Sequence, residues 1–325
     1  MTLFGLGAMG RRHARVLRSL EARFELAGAY DPNPAAETPE GFARVASEAD
    51  AFGRAEVVVL ATPIETHAAL LARGLAAGRH VFVEKPVCAT AAEARGAMDG
   101  ARGGARLFVG HSERFNPVVR ALAKLVRDEE VIAVDLRRAG PSKPSAAGHA
   151  GPRGPGSDVL VNLGVHDFDL AAYLGGGELT LRGAVGIDAP GAAGGPPGPG
   201  AAHVLFTLAS GASGHLYVDR TAPARRRSIE LTTARWVYEG DLLAHRLVRV
   251  PRSGGAPTEV PLPADEPLAA QAAAMADALD GGAAREIAAG EDGVRALDLA
   301  ERAGVLCAWR PADDGAENLS VDARR

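Results

Sequence analysis

The stretch TLFGLGAMGRRHARVL, residues 2–17, decides the fold. A short apolar run enters a Gly-x-Gly-x-x-Gly turn at Gly5, Gly7 and Gly10, and the turn opens directly into a helical pattern. Strand, glycine turn and helix in this order give the triplet its meaning. The glycines permit a tight turn, close approach of backbone to a pyrophosphate, and close packing of helix on strand. The start of the helix offers unbonded N–H groups and the positive end of its dipole to an anion. Asp31 ends the next strand, 21 residues beyond Gly10. A carboxylate there accepts hydrogen bonds from both adenosine ribose hydroxyls and repels a 2′-phosphate. Gly5, Gly7, Ala8, Met9, Gly10 and Asp31 are therefore expected to hold a dinucleotide, NAD rather than NADP. A glycine-rich turn with a chance aspartate is the competing explanation in a chain with 40 glycines; the strand, helix and acid in register weigh against it.

Outward from this turn the chain keeps one rhythm for its first third. The segments FELAGAYD, EVVVLAT, HVFVEKP and RLFVGH alternate with helical stretches such as ETHAALLARGLAAG. Repeated strand and helix build a parallel sheet covered on both faces. The continuous β-branched runs VVVLA and HVFV suit strands buried on both faces. After residue 117 the rhythm changes. Successive strand patterns such as AHVLFTLA, GASGHLYVDRT and RRSIELTTARWVYEGDLLAHRLVRV imply antiparallel pairing, and two helical segments follow them. The expected architecture is α/β: a Rossmann doubly wound parallel sheet over residues 1–117, then an α+β domain with an open, mainly antiparallel sheet over 118–325. The second domain is expected to bind substrate and to form oligomers.

Composition narrows the function class. With 47% hydrophobic residues the 325-residue chain can bury at least one large core. A net charge of −4 favours neither nucleic acid nor an anionic membrane surface as a partner. Cys88 and Cys307 lie far apart, form no disulfide framework, and sit in no metal-ligand motif, so no metal is expected. No apolar run approaches a membrane span and no signal-peptide pattern opens the chain, so the expected location is the cytoplasm. The basic run Arg225, Arg226 and Arg227 reads first as a solvated strand end.

The segment VNLGVHDFDLAAYL, residues 161–174, places polar groups in a greasy helix. Asn162, His166, Asp169 and Tyr173 fall on one helical face, while Leu163, Leu170 and Leu174 fall on another. A lone histidine on a half-buried helix is more often structural than catalytic. Three further motifs change that balance: ATPIETH at 61–67, VFVEKP at 81–86 and GHSERFNP at 110–117. With the glycine loop and the histidine helix, this order and spacing resembles the Gfo/Idh/MocA family of NAD(P)-dependent sugar and cyclitol oxidoreductases. The resemblance is specific up to Tyr173 and looser beyond it. GHSERFNP with LGVHDFDL is most similar to the branch containing UDP-N-acetylglucosamine 3-dehydrogenases.

The resemblance implies roles. Lys85 points at the reacting hydroxyl, where an ammonium stabilises a developing alkoxide. Pro86 follows a cis bond that fixes the lysine's aim, and Glu84 places the nicotinamide ribose. Thr62, Pro63 and His67 line the cofactor, although His67 also reads as a packing residue at a helix end. Arg114 and Asn116 reach toward substrate from the domain junction, although Arg114 also reads as a salt-bridge partner of Glu113 or a neighbouring helix. His166 is the catalytic base: neutral imidazole takes the hydroxyl proton while hydride leaves the carbon. His13 reads as structural, and His111 has no assigned role. Asn162 departs from the family pattern, which commonly has an aspartate four residues before the histidine. It is still expected to meet a sugar hydroxyl or Lys85, but it carries no charge to strengthen the base. Arg138 and Arg153 flank a Gly/Pro/Ser segment; if the substrate carries a diphosphate, these two and Lys143 are the nearest candidates, and an exposed flexible loop explains them equally well.

The expected function is hydride transfer between a secondary hydroxyl of a sugar, cyclitol or nucleotide sugar and NAD, in a homo-oligomer formed through the second-domain sheet. Two alternatives are a non-catalytic NAD-binding regulator of the same fold and a glycosidase that uses NAD for transient oxidation.

Overall fold

The computed structural model describes residues 1–141, 159–187, 200–282 and 285–308. Lys143 and Arg153 lie outside the described residues.

The first sheet has six strands. Strands β1 (Thr2–Phe4), β2 (Gly28–Tyr30), β3 (Val57–Leu60), β4 (His80–Val83) and β5 (Leu107–Val109) run parallel in the spatial order β5-β4-β3-β1-β2. Val58, Val59, Leu60, Val81, Phe82 and Val83 are all buried, because helices cover both faces of a parallel sheet. Those helices are α1 (Ala8–Ser19), α2 (Glu48–Gly53), α3 (Ile64–Ala76) and α4 (Ala91–Met98). Their starts are written locally. Ser47 caps α2 by accepting the Asp50 N–H, and Thr90 caps α4 by accepting the Glu93 N–H, as the serine or threonine of a capping sequence does. A 3₁₀ turn (Ser112–Phe115) then leads to α5 (Pro117–Leu125), capped by Asn116 with proline in the first turn.

The second sheet has eight strands. Strand β6 (Val131–Ala139) precedes a π-helical turn at Leu160–Gly164 and helix α6 (Val165–Gly175). Gly176 ends α6 in the left-handed conformation, φ 75°, which favours glycine at that position. Strands β7 (Leu179–Ile187), β8 (Ala201–Leu208), β9 (Ser213–Asp219), β10 (Arg226–Thr233), β11 (Trp236–Asp241), β12 (Arg246–Pro251) and β13 (Thr258–Glu259) complete it. The order is β13-β12-β11-β10-β6-β9-β8-β7, antiparallel throughout except where β6 runs parallel to β9. One face is buried against α6 and its neighbours; the other leaves Val185, Ile187 and Leu205 exposed.

The chain then returns to the first sheet. Helix α7 (Pro267–Leu279) packs against α1 and the 3₁₀ turn. Its Ala272, Met275 and Ala276 share a core with Leu3, Leu6, Val16 and Leu17. Strand β14 (Ala288–Ala289) adds an antiparallel edge to β5, and α8 (Gly290–Ala308) packs on α4, α6 and β7. The last helix therefore ties the two sheets together. Among the described residues no helix is long and apolar enough to cross a membrane.

Candidate active site

A cavity of about 1060 Å³ opens above the carboxyl ends of β1, β3 and β4, where open parallel sheets take their ligands. Gly5, Gly7, Ala8 and Met9 line one wall. Gly5 has φ +85°, and a Cβ there would lie 2.5 Å from the Ala61 carbonyl oxygen. A Cβ on Gly10 would lie 1.8 Å from the Gly5 carbonyl oxygen. Gly10 therefore does not face the cavity; it lets helix α1 close onto the turn. A Cβ on Gly7 would meet nothing within 4 Å, so a side chain would project into open space beside the helix start. Helix α1 begins with no side-chain cap and no acidic residue in its first turn, which leaves its N–H groups and dipole for an anion.

Asp31 lies on the cavity wall just past β2. Its Oδ2 accepts the Leu6 N–H at 2.8 Å and its Oδ1 accepts the Asn33 N–H at 2.9 Å. These bonds aim the carboxylate and leave lone pairs for hydroxyl donors. The glycine turn, open helix start and aimed carboxylate fit the diphosphate and ribose of a dinucleotide.

Thr62, Pro63 and His67 line the opposite side. His67 is 2% exposed, with Nδ1 3.0 Å from the Pro86 carbonyl and Nε2 3.0 Å from the Thr62 carbonyl. Burial lowers its pKa, so the neutral ring donates to one carbonyl at a time. The ring thus spans two loops that border the cavity. The Lys85–Pro86 peptide is cis. Glu84 faces the cavity, its Oε1 2.7 Å from Nε2 of buried His13, so His13 sits beneath the carboxylate that it holds.

Lys85 and His166 also line this cavity. The Lys85 ammonium donates to the backbone carbonyl of Asn162 at 2.9 Å. Burial, opposed by Glu84 and reinforced by Arg138 and Arg227, brings the Lys85 pKa down to about 8. Burial and the cations Lys85 and Arg138 push His166 well below the ordinary histidine range, so it stays a neutral imidazole. Its Nδ1 is buried without a hydrogen-bond partner.

Two expected substrate residues lie elsewhere. Arg114 is 4% exposed and does not line the cavity. Its Nε and one terminal nitrogen donate to the two oxygens of Asp169 at 2.8 and 2.6 Å, and its guanidinium stands 4.7 Å over the Tyr173 ring. One edge of the guanidinium is thus taken up by Asp169, with Asp292 3.2 Å from the same terminal nitrogen. Asn116 is 7% exposed; it caps α5 and donates to the Leu242 carbonyl at 3.0 Å. Asn162 meets Lys85 through its backbone, and its side chain is exposed and is not part of the lining. Asp169 and Tyr173 thus serve Arg114, and the polar helix face divides its work between an ion pair and the cavity.

Other residues enter the site unforeseen. Glu113 lines the cavity, with Oε1 3.0 Å from Arg138 and 2.7 Å from Arg227. Arg138 is 3% exposed and pairs with Asp167 through two bonds of 2.7 and 3.0 Å. Its guanidinium is held within the fold by Asp167 and Glu113, which leaves it bound and not free for a substrate diphosphate. Burial raises the Glu113 pKa, but Arg138 and Arg227 outweigh it and hold the carboxyl below its ordinary range. Arg227, at the start of β10, lies against the cavity and not in bulk solvent.

Two family models match the chain. One, described as "Oxidoreductase family, NAD-binding Rossmann fold", covers residues 1–111, and the GFO/IDH/MocA C-terminal domain covers residues 119–237. The chain belongs to the Gfo/Idh/MocA oxidoreductase family. Among relatives, the UDP-N-acetylglucosamine 3-dehydrogenase of Acidithiobacillus ferrooxidans is 30% identical over 238 residues, 70% of this chain and 69% of that protein. The inositol 2-dehydrogenase of Rhizobium meliloti is 31% identical over 195 residues, 57% of this chain and 58% of that protein. A solved structure of the Acidithiobacillus ferrooxidans enzyme superposes with a TM-score of 0.79 at 25% identity, covering 93% of this chain and 95% of that one. Within this Gfo/Idh/MocA chain, the Rossmann half and the largely antiparallel second sheet agree with the architecture expected from sequence.

Proposed function

We propose that this protein is an NAD-dependent dehydrogenase that oxidises a secondary hydroxyl of a sugar, cyclitol or nucleotide sugar. The observation that carries this is the meeting of Lys85 and His166 in the cavity that the glycine loop and Asp31 also line. The neutral His166 ring accepts the hydroxyl proton. The Lys85 ammonium, held by the Asn162 carbonyl, faces the developing alkoxide in a partly dry site. Glu84, held by His13, positions the nicotinamide ribose. Bound NAD supplies the hydride acceptor. Asp31 supports NAD over NADP. Arg227 lines the cavity with one terminal nitrogen paired to Glu113, and its remaining donors favour a substrate bearing anionic or oxygen-rich groups. UDP-N-acetylglucosamine, oxidised at C3, is the first candidate because a 30% identical relative carries that activity in its name.

Residues 1–117 are read as the cofactor-binding half and 118–325 as the substrate-binding and oligomerising half, with α7 and β14 returning to the first sheet. The open sheet face, where Val185 is 65% and Leu205 55% exposed, supports a homo-oligomer formed through that sheet. The test is NADH absorbance, with glycosidic cleavage followed in parallel, for a panel of sugars, inositols and UDP-sugars. Substrate-dependent NADH formation is expected. Cleavage without net NADH, or binding of NAD with no turnover on any substrate, would replace this reading with a glycosidase or a regulator.

A further inference from the structure

His111 is 1% exposed, and neither of its ring nitrogens has a hydrogen-bond partner. A buried polar ring with both edges unbonded is costly unless it serves something. Its Nδ1 lies 3.9 Å from Oδ2 of Asp169, beyond hydrogen-bond length, and burial lowers its pKa so that the ring is neutral and meets the carboxylate as a dipole. Its ring centroid lies 6.0 Å from that of His166, with the planes 82° apart. Nδ1 of His166 is likewise buried without a partner. Two histidine rings with unbonded nitrogens thus lie near one another, with the buried Asp169 carboxylate beside His111.

We propose that His111 is a positioning residue for His166, linking its Nδ1 to the Asp169 carboxylate and standing in for the acid absent at position 162. The proposal rests on the dehydrogenase reading above. Asp169 attracts a proton on His111 Nδ1, which fixes the tautomer and leaves Nε2 as an acceptor. His166 Nδ1–H then has a partner in His111 Nε2, directly after a small ring rotation or through one water. In the oxidation step the substrate hydroxyl proton passes to His166 Nε2, and the imidazolium keeps its other proton on Nδ1, shared with His111. No proton needs to leave the pair during hydride transfer. The charge so formed faces the cations Lys85, Arg138 and Arg227, which disfavour it, while Glu84 and Glu113 line the same cavity. Asp169 offsets it through His111. The charged groups around His111 are Asp169, Arg114, Lys85 and Asp292, and the His166 ring packs edge-on against it.

The sign of one measurement separates this arrangement from its alternatives. His111→Phe keeps the ring volume and removes both nitrogens. If His111 supports the imidazolium, the variant lowers the His166 pKa, moves the acidic limb of the pH–rate profile to lower pH, and reduces kcat roughly tenfold, a fraction of the ~10²–10⁴ that a general base supplies. A histidine that acted only as a cationic neighbour would give the opposite: its removal would raise the His166 pKa. A packing residue would leave the limb in place. The same titration is read without turnover from the His166 imidazole NMR signals of the cofactor-free protein, assigned with His166→Asn. His111→Gln, which retains an acceptor, should recover most of the shift, and His111→Leu takes the place of the phenylalanine variant where that one does not fold. A His166 titration that is unmoved or moved upward in folded His111→Phe or His111→Leu overturns the link. Absence of NADH formation in the wild-type protein with every substrate would instead overturn the dehydrogenase reading, and leaves the NMR test of the link intact.

Discussion

Lys85 and Asn162 meet through the main chain: the ammonium donates to the carbonyl oxygen at 2.9 Å, and the amide side chain takes no part. The carbonyl is presented by the π-helical turn just before α6, a local widening of the helix that often marks a functional site. The contact aims the lysine without neutralising it. A carboxylate in the same place would pair with the ammonium and hold it charged to higher pH.

The first expected outcome concerns Lys85. Its pKa in the fold is about 8, against 10.5 when unburied. Below pH 8 both folded and unfolded chains hold the proton, and the fold bears the cost of a buried ammonium. Between the two values the folded chain sheds the proton first, so stability rises with pH through that window. Lys85→Met should therefore hold or raise the melting temperature at pH 7. The same variant should lose about 10²–10³ in kcat, the scale of removing one transition-state donor. The wild-type rate should fall on the alkaline side near pH 8, where the ammonium is lost. Thermal melts and pH–rate profiles of both proteins check this; a variant that retains wild-type turnover would take Lys85 out of the mechanism.

The second concerns Asp31. Its oxygens each hold one backbone N–H and present their remaining lone pairs to the cavity. Asp31→Ser removes the charge that a 2′-phosphate would meet. Loss of charge-assisted hydrogen bonds of ~1.5–3 kcal/mol should weaken NAD binding by about 10–100-fold while NADP binding holds or improves. Titration calorimetry with both cofactors measures the ratio. Equal affinity of the unmodified protein for NAD and NADP would contradict it.

How far the sequence could be read depends on how local each feature is. The glycine turn, the acid after β2 and the lysine before Pro86 lie within single strand–loop units, and each was legible because its neighbours in space are its neighbours in sequence. Arg227 was not. It is directly opposite Arg138 in the β10–β6 pair, and Glu113 binds both from the 3₁₀ turn. That register joins three distant segments, and a basic run at a strand start gives no sign of it. Arg114 was legible in part: a salt bridge to a neighbouring helix was one of its two readings, but the partner itself, Asp169, lies 55 residues away on α6. The return of α7 to the first sheet was hidden because an amphipathic helix does not state which core it joins.

The third outcome follows from that buried pair. Arg114→Met leaves Asp169 ionised and without its bidentate partner. Breaking a buried ion pair from one side costs about 3–5 kcal/mol, so chemical denaturation should show a loss of that size. Because Arg114 does not touch the cavity, KM for substrate in the folded variant should stay near that of the wild type. A large rise in KM with unchanged stability would return Arg114 to the substrate.

The last outcome concerns position 162 itself. Asn162→Asp places a carboxylate on the turn whose carbonyl already holds Lys85. A negative charge within about 4–6 Å favours the protonated forms of both Lys85 and His166. Lys85 should keep its ammonium to higher pH, so the alkaline limb moves up. His166 should hold its proton to higher pH as well, so the acidic limb moves up with it. The whole profile shifts toward alkaline pH, and the rate at its optimum holds or rises because the stronger base has a fixed counter-charge. A position that matters only for packing behaves differently: the exposed side chain would change the melting temperature little and leave both limbs in place. Paired pH–rate profiles with one sugar, alongside thermal melts, separate the two cases. His166→Ala in both backgrounds is the control, because the acidic-limb shift must vanish with the group that titrates. An active, folded Asn162→Asp protein with an unmoved acidic limb would show that position 162 and His166 are uncoupled, and would leave the tuning of the base to the buried side of the ring.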